Sequence, residues 1–186
     1  MQNTTSAIEI AQLVLKNNLP QAKIVVDATA GNGNDTLFLA ENAPGAQIYA
    51  FDVQPMAIAA TKEKTAAYKE RITYIMDSHA NIQKIVPDGI DAAMFNLGYL
   101  PGGNHEVTTE ARITIEAVEQ TVNKLSLNGL LAIVVYPGHP AGAEEEEALG
   151  EYIHLLPAEK FTVGCYRLEN HVGNGPFVYI IEKVRG

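Results

Sequence analysis

Five apolar runs rich in β-branched residues alternate along the chain with segments of helical periodicity: KIVVDA (23–28), AQIYAF (46–51), RITYIM (71–76), GIDAAMF (89–95) and GLLAIVVY (129–136). Strands separated by helices in this way predict an α/β fold built on a doubly wound sheet. The intervening helices read as NDTLFLAEN (34–42), PMAIAATKEKTAAYK (55–69), ANIQKIV (80–86) and TTEARITIEAVEQTVNKL (108–125). In the last, Ile113, Ala117, Val118, Thr121 and Leu125 share one face, with Glu110, Glu116, Glu119 and Lys124 outside. A leading helix from Ser6 puts Ile8, Leu13 and Leu15 on one stripe and is expected to close one end of the sheet.

The ending departs from the alternation. After a helix over AEEEEALGEYIHLL (143–156) come FTVGCYRL (161–168) and FVYIIEKV (177–184), joined by the turn-rich ENHVGNGP. A parallel crossover needs about a dozen residues or more, so these two strands are antiparallel. The expected sheet has seven strands, mostly parallel, with a C-terminal antiparallel hairpin, in a single domain over residues 1–186. Glu144–Glu147 read as a solvated first helical turn favoured by the helix dipole.

Composition narrows the class. With 47% apolar and 19% charged residues in 186, the chain can bury a sizeable core and is neither disordered nor fibrous. No run reaches the roughly 18 apolar residues of a membrane span, and Glu9 interrupts an N-terminal stretch that has no basic flank, so a cytoplasmic protein is expected. The single cysteine, Cys165, excludes an internal disulfide and a cysteine-rich metal site. Its mid-strand setting predicts burial, which also removes the nucleophile for methylating a pyrimidine ring carbon. Histidines and carboxylates show no metal-ligand spacing, so no catalytic metal is expected.

The strongest chemical signal is VVDATAGNGNDT at residues 25–36, between the first strand and its helix, where this architecture binds ligands. Gly31 and Gly33 can take positive φ, and Asn34 is a good N-cap. Asp27, Thr29, Gly31, Asn32, Gly33, Asn34, Asp35 and Thr36 are the expected binding residues of this turn. A dinucleotide loop needs a third glycine where Thr36 stands, and a phosphate loop needs a lysine that this turn lacks. Asp27 and Asp35 would repel a pyrophosphate but suit a cation. S-adenosylmethionine carries both a sulfonium and an ammonium and fits.

Two more strand ends carry polar groups. Asp52 ends the second strand 25 residues after Asp27, where a carboxylate accepts from ribose hydroxyls, with Gln54 beside it; capping the helix near Pro55 is the competing role. Asp77, Ser78 and His79 end the third strand, where an adenine amine can bind or where Asp77 or Ser78 caps the next helix. Strand four ends in NLGYLPGGNHEVTT (96–109), a glycine-rich loop. Its Asn96, Gly98 and Tyr99 resemble the [DN]-P-P-[YF] tetrad of amino-group methyltransferases, in which an amide oxygen accepts from an amine and aims its lone pair at the methyl. Tyr99 either stacks on a base or packs beneath the loop. Strand five ends in YPGHP (136–140), which brings Tyr136 and His139 to the same edge, His139 as proton acceptor or substrate contact.

Taken together, DATAGNGNDT (27–36), FDVQ (51–54), NLGYLPGG (96–103) and YPGHP (136–140) resemble the "putative rRNA methylase" family of class I S-adenosylmethionine-dependent methyltransferases, the YtqB/MnmM type, over nearly the whole chain. One departure is Thr29, which stands where the class pattern has its first glycine. The resemblance implies a Rossmann-like class I methyltransferase fold and release of S-adenosyl-L-homocysteine as product. It further implies methylation of the amine of 5-aminomethyl-2-thiouridine at the tRNA wobble position, with the tRNA anticodon stem-loop as partner. Asp27, Gly31 and Gly33 would hold the methionyl part, Asp52 the ribose, Asp77 and Ser78 the adenine side, and Asn96 the amine.

The net charge of −9 leaves rivals open. A small-molecule amine N-methyltransferase fits it best, and an rRNA methyltransferase shares the cofactor site. Lys16, Lys23, Lys84, Arg112, Lys160 and Arg167 are the candidate RNA contacts, and a homodimer would enlarge the surface that they offer. A cofactor-binding regulator without chemistry would not need Asn96, and a nicotinamide enzyme conflicts with the acidic turn.

Overall fold

The computed structural model describes residues 6–98, 110–170 and 175–186. Seven strands, β1 Ile24–Asp27, β2 Gln47–Phe51, β3 Ile72–Ile75, β4 Ile90–Asn96, β5 Leu125–Val135, β6 Phe161–Tyr166 and β7 Phe177–Lys183, form one sheet in the order β3-β2-β1-β4-β5-β7-β6. The first five pair in parallel, and β7 lies antiparallel to both of its neighbours, β5 and β6. The hairpin expected from the short β6–β7 connection is present. Its second strand is the one inserted against β5, which leaves β6 at the edge.

Each strand's alternation feeds two cores. Val25, Ile48, Ala50, Ala92, Met94, Ala132 and Val134 point to one face, and Val26, Phe51, Ala93, Phe95, Leu131, Ile133 and Val135 to the other. Both faces are covered, which is why these strands read as continuous apolar runs rather than alternating ones. The first face is covered by α1 Ala7–Leu15 and α2 Asn34–Asn42, and α3 Pro55–Lys64 packs against α2. The second carries the short α4 Ile82–Ile85, α5 Ala111–Lys124 and α6 Pro140–Leu155.

Several expectations change. α1 does not close an end of the sheet: it lies on β4, β5 and β7 through Ala7, Ala11 and Leu15, spaced one helical turn apart, and Leu13 is exposed. Its start is set by a capping box, in which Ser6 and Glu9 exchange hydrogen bonds. The segment 55–69 breaks after Lys64 into a tighter turn at Ala66–Arg71, and 80–86 begins as one at His79–Asn81. Lys124, placed outside by periodicity, is buried against Asp88 at 2.7 Å, which holds the Asp88 carboxyl below its usual range. Glu144–Glu147 are not a uniform solvated turn: Glu145 is buried and accepts from Thr114 Oγ1 at 2.6 Å, joining α6 to α5. Cys165 is exposed, because β6 is the edge strand and none of its residues is fully buried.

The strand order reverses between β1 and β4. Chain running outward from β1 to β3 and from β4 to β5 leaves a crevice at the carboxyl ends of β1 and β4, the place where such sheets hold ligands. Asp27 ends β1, and Asn96 ends β4, two positions beyond the Met94 that pairs with Asp27.

Candidate active site at the β1–β4 switch point

Backbone geometry builds the site first. After Asp27 the chain turns through Gly31 and Gly33, with φ of 52° and 76°, and Gly33 rather than Asn34 occupies the N-cap of α2. A β-carbon on Gly33 would stand 2.8 Å from Thr61 Cα, so glycine lets α3 approach the turn, and Thr61 Oγ1 donates to the Gly31 carbonyl at 3.2 Å. Asn34 is the first helical residue; its side-chain oxygen takes a hydrogen bond from Lys64.

Onto this turn converge three carboxylates. Asp27 is fully buried and accepts from Thr36 Oγ1 at 2.5 Å and from the Thr29 amide at 3.2 Å. Burial, followed by the charge of Asp35, pushes its carboxyl up to about 7 despite these two hydrogen bonds. Asp52 ties the end of β2 to the turn, with one oxygen accepting from the Gly31 amide and the other from the Gln54 amide, each at 2.9 Å. It does not cap α3; Gln54 holds that position without a side-chain cap. Asp35, in the first turn of α2, accepts from Gln12 Nε2 at 3.0 Å and from Asn96 Nδ2 at 3.1 Å.

Asn96 is fixed from two sides. Its amide donates to Thr29 Oγ1 at 2.7 Å, a bond that glycine at position 29 would lack, and its side-chain nitrogen faces Asp35 and Tyr136. Its Oδ1 is buried without a hydrogen-bond partner. Tyr136 is half-buried, and burial together with the Asp35 charge pushes its hydroxyl up to about 12, partly offset by the hydrogen bond from Asn96. The phenol is therefore neutral across the physiological range. Gly98 follows with φ 121°, next to the Tyr136 ring.

Other expected residues make contacts of their own. Asp77 is exposed and accepts from the Ser78 amide at 2.7 Å and from Asn81 Nδ2 at 3.0 Å, while Ser78 caps the turn that follows. His79 is buried against Phe95 and lies 3.1 Å from the Ala28 carbonyl through Nδ1, which must donate there. The Nε2 lone pair is then a buried acceptor without a partner, and burial lowers the ring's pKa. His139 is the N-cap of α6, accepting from the Gly142 amide at 3.1 Å through Nδ1. Gly142 permits that cap, since a β-carbon there would stand 2.0 Å from the Tyr136 carbonyl. Asn32 is half-buried within the glycine turn. Tyr99 and the remainder of the loop through residue 109 lie outside the described residues.

One member of the cluster was not singled out from sequence. Gln12 lies on α1, far from every motif, and no local signal marks it. Tyr136 opens the YPGHP string, where its position at a strand end was legible but its contact with Asn96 was not.

The donor set suits a cation with hydroxyls attached: carboxylates on three elements, close backbone approach at two glycines, and a bare carbonyl oxygen at the end of β4. Among the described residues no group of three His, Cys, Asp or Glu side chains is placed to hold a metal ion. No described helix is long and apolar enough to cross a membrane.

Comparison with known proteins identifies the family. The family described as "Putative rRNA methylase" matches residues 48–182. A Clostridium thermocellum crystal structure carrying the same description is 34% identical, with a TM-score of 0.93 over 98% of this chain and 100% of that one. A Streptococcus mutans "putative methyltransferase", solved in complex with S-adenosylhomocysteine, is 37% identical, with a TM-score of 0.88 over 97% and 99%. The Arabidopsis thaliana chloroplastic tRNA (mnm5s2U34)-methyltransferase is 33% identical over 88% of this chain, which spans 65% of that protein's length. With the family match running from β2 through β7 and the Clostridium thermocellum structure covering 98% of the chain, the chain belongs to the rRNA methylase family.

Proposed function

We propose that the protein is an S-adenosylmethionine-dependent N-methyltransferase that converts 5-aminomethyl-2-thiouridine at the tRNA wobble position to its methylaminomethyl form. The observation that carries the reading is Asn96 Oδ1, a buried acceptor without a partner at the end of β4, beside an acidic glycine turn suited to a cationic cofactor. The S-adenosylhomocysteine complex of the Streptococcus mutans relative supports the cofactor, and the name of the Arabidopsis relative supports the substrate.

Asp27, with the Gly31–Gly33 turn, would hold the charged methionyl end, and Asp52 the ribose. Bound there, the cofactor supplies an electrophilic methyl: the amine lone pair forms the N–C bond, the C–S pair leaves to sulfur, and the amine proton passes to solvent. Asn96 Oδ1 accepts an N–H of the amine, which binds the neutral nucleophile and leaves its lone pair free. His139 Nδ1 accepts from the Gly142 amide, which assigns the ring to the α6 cap. The tRNA anticodon stem-loop would approach over this edge of the sheet.

Nucleoside mass spectrometry of tRNA from cells that lack the gene tests the substrate. The expected result is accumulation of 5-aminomethyl-2-thiouridine and loss of its methylated form. Unchanged tRNA would overturn the tRNA assignment, and the net charge of −9 would then direct the search to small amines.

A further inference from the structure

An asparagine side chain is ambiguous. A half-turn of its amide exchanges an NH2, which offers two donors, for a carbonyl that only accepts. At Asn96 the difference decides the chemistry. A carbonyl facing an amine accepts its N–H and leaves the nitrogen lone pair for bond formation, whereas an NH2 in the same place would donate to that lone pair and quench it.

We infer that Asp35, held by Gln12, is the positioning residue that fixes the Asn96 amide with its carbonyl toward the substrate amine. The inference rests on the amine-transfer reading above. Asn96 Nδ2 donates to Asp35 Oδ2 at 3.1 Å and lies on the side of Tyr136 as well. Oδ1 is left buried and bare on the other. Asp35 is only 7% exposed and anchored on α2, and Gln12 Nε2 reaches its second oxygen at 3.0 Å from α1. The reversed amide would bring Oδ1 against a carboxylate oxygen, acceptor against acceptor, while the Asn96 backbone stays pinned by Thr29 Oγ1 at 2.7 Å. An uncompensated buried carbonyl is uncommon and points to a ligand donor at that spot.

Exchanging the pair tests this. Asp35→Asn lets position 35 donate to Asn96 Oδ1 and removes the bias; Asn96→Asp sets carboxylate against carboxylate. Each single variant is expected to lower kcat about tenfold to hundredfold, with a smaller change in KM for S-adenosylmethionine. The double variant D35N/N96D restores one donor and one acceptor with the polarity reversed, still leaving an oxygen toward the substrate, and is expected to return kcat to within about threefold of wild type. Thermal melting of the same proteins without cofactor is the second readout: each single variant lowers Tm and the double variant recovers it. Wild-type kcat in Asp35→Asn, or recovery of Tm without recovery of kcat, would overturn the positioning role. Absence of methyl transfer by the wild-type protein to any amine-bearing tRNA would instead fail the functional reading, and the melting cycle would still decide the pairing, additive losses refuting it.

Discussion

Asp27 sits at zero exposure with Asp35 and Asp52 nearby, and its carboxyl titrates at about 7 instead of 3.8. A carboxyl raised in the folded state stabilises the fold fully below its unfolded pKa, and that contribution is lost as pH rises through about 7. A bound cation reverses the preference by favouring the ionised form. Cofactor affinity is therefore expected to rise with pH by up to about tenfold per unit below 7 and then level off. Asp27→Asn should abolish this component, which calorimetric titration of both proteins between pH 5.5 and 8.5 would reveal. At the other strand end, Asn96→Ala removes the proposed amine acceptor and should lower kcat about a hundredfold with cofactor binding retained. For His139 the cap predicts that Asn, another good N-cap, preserves turnover, while Ala costs about 1 kcal/mol of stability in denaturant titration. A large loss of kcat in His139→Asn would make the ring a catalytic group. The residues at strand ends were legible because β-branched runs stop visibly and polar groups follow them. Gln12, 23 positions from Asp35 and on another element, had no local mark.

At the scale of elements, the βα turn is held open by a missing side chain. Gly33→Ala combines φ of 76° with a β-carbon 2.8 Å from Thr61 Cα, so α3 must shift. About 1–3 kcal/mol of destabilisation is expected, read as a lower midpoint in urea, together with weaker cofactor binding. Helix α6 depends on a buried polar contact: Glu145→Ala strands the Thr114 hydroxyl at about 1–3 kcal/mol, and Glu145→Gln, which keeps an acceptor, should lose less. Periodicity could not have found that contact. The four consecutive glutamates present every direction around α6, and only the docking of α5 selects Glu145 for burial. Lys124 and Leu13 misled for the same reason: a 3.6-residue period assigns faces relative to one core stripe, but the Asp88 loop covers the end of α5, and small alanines let α1 lie on the sheet without Leu13.

Across the whole molecule, the number of strands and the parallel sense of the first five were legible, since helices between strands dictate right-handed crossovers. The insertion of β7 beside β5 was not, because a hairpin can dock either strand inward. The structure shows why β7 wins: Phe177, Val178 and Ile181 are buried on both faces, whereas β6 buries none of its residues fully. Cys165 is exposed as a consequence. A ligand bound only by the folded sheet stabilises all of it by mass action, about 2.7 kcal/mol at a hundredfold excess over Kd, or roughly 5–11 °C in Tm. S-adenosylhomocysteine should produce that shift, and a nicotinamide dinucleotide should not. The central claim is tested most directly with purified protein, methyl-labelled S-adenosylmethionine and tRNA bearing 5-aminomethyl-2-thiouridine, analysed as nucleosides. The account predicts label in 5-methylaminomethyl-2-thiouridine alone; label on a ring carbon or ribose oxygen, or none in tRNA while the cofactor binds, would contradict it.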